Sequence, residues 1–101
     1  MEEIYTAKLW VNGKLIVMNR FVEQFLAHTA VGAINSLKGG DNVHKLEMHQ
    51  KKGNVEIKVN GTEIPLTAFP NDIISRTLLG MVSALKDVDG VDTIEISVDV
   101  S

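Results

Sequence analysis

The chain has 101 residues, 45% apolar and 23% charged, which is the size and composition of one globular domain with enough apolar material for a core. It has no cysteine, which excludes disulfides, thiolate nucleophiles and cysteine-held zinc or iron–sulfur centres. The net charge of −3 gives no hint of the basic face that nucleic-acid binders use, so nucleic acid is an unlikely partner. No apolar run reaches the length of a membrane span, and the start Met1-Glu2-Glu3 is acidic where a secretory signal is basic, so a cytoplasmic protein is expected.

The first predicted element is an alternating strand, with Ala7, Leu9 and Val11 on its buried side and Lys8 and Trp10 on the other. Asn12-Gly13 follows, a dipeptide suited to a type I′ hairpin turn because both residues there need positive φ. A short return segment, Leu15 to Met18, leads to a helix capped by Asn19. The predicted apolar stripe of that helix is Val22, Phe25, Leu26, Thr29, Ala33 and Leu37, with Glu23, Gln24, His28, Asn35 and Lys38 opposite. Lys38 suits the negative end of the helix, and Gly39 a left-handed cap. A closing strand, Val43 to Gln50, ends the unit.

The chain then repeats itself. Displaced by 48 positions, Val11–Gln50 aligns with Val59–Val98 without a gap and with twelve identities in forty positions, where chance gives about two or three. The second unit shows Val55, Ile57 and Val59 alternating with Glu56, Lys58 and Asn60, then Asn60-Gly61, a return segment Glu63 to Leu66 and a helix. Thr67 or Asn71 is the expected cap of that helix, and Ile73, Ile74, Leu78, Met81 and Leu85 its stripe. Lys86 closes it, before a strand from Val91 to Val100. The expectation is a single α+β domain, residues 1–101, made of two repeats of about 7–50 and 55–98. Strand, helix and strand, occurring twice, match a ferredoxin-like plait, with two helices on one face of a mainly antiparallel sheet of four to six strands. In a plait both edges of each unit's first strand are used, so the hairpin return segments are either flaps outside the sheet or extra strands in another order.

A residue shared by both halves serves the architecture of the unit first; a residue in one half only is a better place to look for function. His28, His44 and His49 have no histidine counterpart, being matched by Arg76, Asp92 and Ser97. His44 and His49 face opposite sides of one strand and cannot share a metal. His49 does share a face with Glu47, a weak acid–base or metal pair at best. Glu47 and Glu95 recur in both halves and find simple cross-strand partners in Lys45, Lys58 and Lys8. Gly39-Gly40-Asp41-Asn42 follows a helix and lacks the spacing and lysine of a phosphate loop. Thr29 with Gly32, and Thr77 with Gly80, imply close backbone approach in mid-helix, or a small patch that seats a second subunit.

Trp10 is the most informative single residue: the only tryptophan, on the outer sheet face, replaced by Lys58 in the other half. Val31 and Leu79 add equivalent apolar residues on a mostly polar helix flank. No catalytic residue, metal ligand or cofactor site is identified. The leading expectation is a non-catalytic interaction or assembly module, homodimeric, with its contact centred on Trp10 and the sheet face around Lys8, Lys58, Glu47 and His49. The second is a small-molecule-binding or enzymatic domain with a site between repeats or subunits, built from His49, Glu47 and Glu95. The third is weak binding of single-stranded nucleic acid by base stacking on Trp10.

Overall fold

The computed structural model describes residues 3–37, 42–85, 88 and 90–101. Lys38, Gly39, Gly40, Asp41 and Lys86, expected at the helix exits, lie outside the described residues. The elements in chain order are β1 (Tyr5–Val11), β2 (Lys14–Ile16), α1 (Arg20–Asn35), β3 (Lys45–Lys51), β4 (Asn54–Val59), β5 (Thr62–Ile64), α2 (Ala68–Ser83) and β6 (Thr93–Val100). The strands form one sheet in the order β2-β1-β6-β3-β4-β5, with every neighbouring pair antiparallel. Two helices thus cover one face of a six-stranded antiparallel sheet, an α+β architecture with the layers of a plait and its strands in another order.

The strand order answers the question of the return segments. β1 and β4 flank the central pair β6 and β3, so each has one edge left over, and β2 and β5 occupy those edges. Both Asn-Gly turns adopt the conformation their residue types favour, with φ of 52° and 79° at Asn12-Gly13 and 52° and 85° at Asn60-Gly61. A third such turn, Lys52-Gly53 with φ of 50° and 77°, joins β3 to β4.

Exchanging β1, β2, α1 and β3 for β4, β5, α2 and β6 reverses the sheet order onto itself. The equivalence extends to side-chain hydrogen bonds. The Asn12 Oδ1 accepts from the backbone of Asp92 and Thr93, and the Asn60 Oδ1 from that of His44 and Lys45, at 2.7–3.0 Å. Their amides donate to the carbonyls of Gly90 and Asn42. Each turn therefore ties down the start of the other unit's last strand.

The core lies between sheet and helices. It is supplied by alternate residues of the four long strands, with Leu9, Leu46, Ile57, Ile94, Ile96 and Val98 almost wholly enclosed. α1 packs chiefly over β1 and α2 over β4, and the helices make little direct contact with each other. Asn19 caps α1, accepting from the Val22 N–H at 2.9 Å. Thr67 holds the cap position of α2 without a side-chain bond. Asn71, the rival cap, lies inside α2 instead; its amide bonds the Val55 N–H and the Gly53 carbonyl, anchoring the helix to β4.

The buried face of α1 is Leu26, Ala27, Ala30, Val31 and Ile34. It is turned by about one residue, some 100°, from the predicted stripe. The small alanines let the helix sit close to the sheet, whereas the bulkier Phe25 of the predicted stripe points away from it. α2 is turned likewise, burying Ile74, Ser75, Leu78 and Val82 and exposing Ile73.

Candidate functional site

The outer sheet face, away from the helices, gathers the residues singled out for function. Antiparallel register places Trp10 opposite Glu95, Glu95 opposite His49 and His49 opposite Glu56 in one row. The adjacent row runs Lys8, Ser97, Glu47, Lys58 and Glu63. Trp10, Glu47, His49, Lys58 and Glu95 line one open concavity of about 610 Å³, together with Glu56, Glu63 and Ser97, which had not been singled out as a site. Period-2 alternation on β4 would have found Glu56; Glu63 depended on knowing that β5 joins the sheet.

The lining of the concavity is acidic, with Glu47, Glu56, Glu63 and Glu95 against Lys58. His49 Nε2 lies 3.7 Å from Glu95 Oε1 and Lys45 Nζ lies 3.9 Å from Glu47 Oε1. Lys58 stands between Glu47 and Glu63 in register, and Lys8 opposite Ser97, outside the concavity lining. Among the described residues no group of three or more His, Asp or Glu side chains is arranged to hold a metal ion. Trp10 is half-buried rather than exposed, so the row that contains it offers less apolar surface than alternation implied.

The helix layer carries more apolar surface. Phe21 and Phe69, at equivalent positions, are each 73% exposed; Phe25 and Ile73, also equivalent, are 55% and 51% exposed. The Phe21 and Phe25 rings lie 6.0 Å apart, tilted by 44°. These residues border an apolar groove between the helices. One end, about 290 Å³, is lined by Phe21, Phe25, Leu26, Met81 and Leu85; the other, about 390 Å³, by Leu37, Phe69, Ile73, Thr77 and Leu78. The N-terminal half of each helix thus faces the C-terminal half of the other.

Two sequence expectations change here. Val31 belongs to the core at 5% exposure, because the rotation of α1 carries it inward, while its counterpart Leu79 is 40% exposed. Gly32 and Gly80 are exposed, and a Cβ added at either would meet nothing within 4 Å, so no close approach inside the chain requires them. Thr77 does bond the carbonyl one turn back, its Oγ1 2.7 Å from Ile73 O. His28 is exposed as expected, stacked on Tyr5 at 4.1 Å. Phe21 and Phe69 were missed as surface residues; their identity in both halves was visible, but not the face they occupy.

No helix among the described residues is long and apolar enough to cross a membrane. Comparison with known proteins gives no match to a family model, a curated protein or a solved structure.

Proposed function

We propose that this chain is an interaction module, built as an internal duplication, whose working surface is the outer side of its helix layer. The observation that carries the reading is the pair Phe21 and Phe69, the same residue at equivalent positions, each 73% exposed. Core packing gives no reason to keep a phenylalanine there, and contiguous exposed apolar surface of this kind marks contact sites. The sheet face around Trp10, the contact expected from sequence, is a weaker candidate: four glutamates line it, and desolvating them on a dry contact is costly.

Hydroxyl-radical footprinting of the phenylalanine rings, in dilute purified protein and in cell extract, tests this. Rings shielded in either condition support the reading; rings that react in both as freely as exposed phenylalanine sink it.

A second reading is favoured by the concavity that brings Trp10, His49 and the carboxylates together: a small-molecule site, suited to a cationic ligand that rests on the indole. The same carboxylates repel a phosphate backbone, which weighs against single-stranded nucleic acid. A thermal-shift screen of small amines and guanidines checks it, since a ligand of the folded state raises Tm; no shift with any of them removes it.

A further inference from the structure

We infer that the surface covered by this helix layer is the same layer of a second copy, packed face to face about a twofold axis; this rests on the helix layer being a contact surface. Three observations lead there.

The first is the pattern on each helix. At 3.6 residues per turn, Phe21, Phe25 and Gly32 fall within about 40° of one another on α1, on the side opposite the core, and Phe69, Ile73 and Gly80 do the same on α2. Each outer ridge therefore has two large apolar residues near its start and, two to three turns on, a gap with open space above it. A knob and a hole on one ridge are self-complementary when two such ridges meet antiparallel. Phe21 of each copy then lies over the glycine of the other, and the contact closes on itself as an isologous interface must.

The second is the recurrence of this pattern in both halves. Using both halves alike requires a partner that itself presents two equivalent halves. A second copy does so by construction, and each contact type is made more than once across the interface. A partner without that symmetry would use one half and leave no reason for the other.

The third is area. With aromatic side chains burying 150–250 Å² each, the uncovered parts of Phe21, Phe25 and Phe69 amount to roughly 300–500 Å². A standard interface buries about 800 Å² per partner, a little over half of it apolar. The patch supplies that share. The result is a four-layer dimer, sheet–helix–helix–sheet, with both outer sheet faces left open.

The decisive experiment is sedimentation equilibrium on the wild type and three variants: Phe21→Asp with Phe69→Asp, Gly32→Leu with Gly80→Leu, and Trp10→Ala. Circular dichroism and Tm on each establish that it folds; the substituted helix sites are exposed, and the leucines favour helix over glycine. The wild type is expected at twice the 11.1 kDa chain mass. Each helix variant is expected to weaken self-association by roughly 30-fold or more, the loss typical of a contact hot spot, with Trp10→Ala unchanged. The glycine variant is the sharper probe, because filling the holes obstructs only a surface that something enters.

A wild type that stays monomeric at high concentration overturns the second copy as occupant; ring shielding in cell extract would then point to a different protein, and its absence would remove the contact surface as well. A dimer that survives both helix variants and dissociates in Trp10→Ala overturns the inference and moves the contact to the sheet.

Discussion

Asn12 carries three duties in one side chain. It takes the left-handed conformation that the turn needs, accepts two backbone N–H groups from Asp92 and Thr93, and donates to the Gly90 carbonyl. Asparagine suits all three, because its short amide tolerates positive φ and offers both an acceptor and a donor. Asn12→Gly keeps the turn but frees those backbone groups, and is expected to lower stability by about 1–2 kcal/mol, less than their full desolvation cost because water reaches the site. Asn12→Asp keeps the acceptor and is expected to lose less. Urea unfolding of the two variants checks the order, and equal stability of both would show that the acceptor bonds to Asp92 and Thr93 contribute little. The Asn12/Asn60 identity was legible in sequence as a turn signal. The reach of each side chain into the other half was not: it spans 78–81 positions for Asn12 and 15–18 for Asn60, and depends on which strands are neighbours.

At the scale of elements, the two helices are anchored by the same contacts made with different residues. In α2 the Asn71 amide alone holds both the Val55 N–H and the Gly53 carbonyl, at 2.8 and 2.7 Å. In α1 the equivalent groups are shared out: Glu23 accepts from the Ala7 N–H at 3.0 Å and Gln24 donates to the Tyr5 carbonyl at 2.7 Å. Asn71→Ala removes both anchors, and is expected to cost about 2 kcal/mol, roughly twice Gln24→Ala, which removes one. Denaturant midpoints of the two variants decide it, with a larger loss from Gln24→Ala counting against the equivalence. The existence and order of the helices were readable from their periodicity. Their rotation was not: the moment of an apolar pattern draws large apolar residues to the core, and misleads when some of them, here Phe25 and Ile73, face outward.

At the scale of the whole molecule, the outer ends of β1 and β6 meet in space. β1 and β6 are paired along their length, and Ile4 and Ser101 exchange two backbone bonds of 2.8 and 2.9 Å beyond the strands. By the exchange of units, this rung sits where Lys52-Gly53 joins β3 to β4. A circular permutant opened between Lys52 and Gly53, with Ser101 joined to Glu3 through an Asn-Gly turn, is therefore expected to fold with an unchanged circular dichroism spectrum and a cooperative melt. An unfolded permutant would show that the β3–β4 turn, exchanged for its equivalent, is needed for more than connection. The opened turn is exposed, the usual location of tolerated breaks.

What the sequence by itself determined is local and periodic. Strand alternation follows from a two-residue period, helix extent from a cap and a period of 3.6, and the hairpins from Asn-Gly dipeptides whose turn type depends on two residues alone. Trp10, Glu47, His49, Lys58 and Glu95 were placed on one face for the same reason, since alternation settles the side of a sheet once strands are known. The tertiary structure decided the strand order, because both orders satisfy the same alternation and only the competition for strand edges separates them. It decided the rotation of the helices too, because the depth at which a helix packs depends on small residues meeting a particular neighbour. That rotation moved Val31 into the core and Phe25 and Ile73 to the surface beside Phe21 and Phe69, and with them the face on which function is proposed.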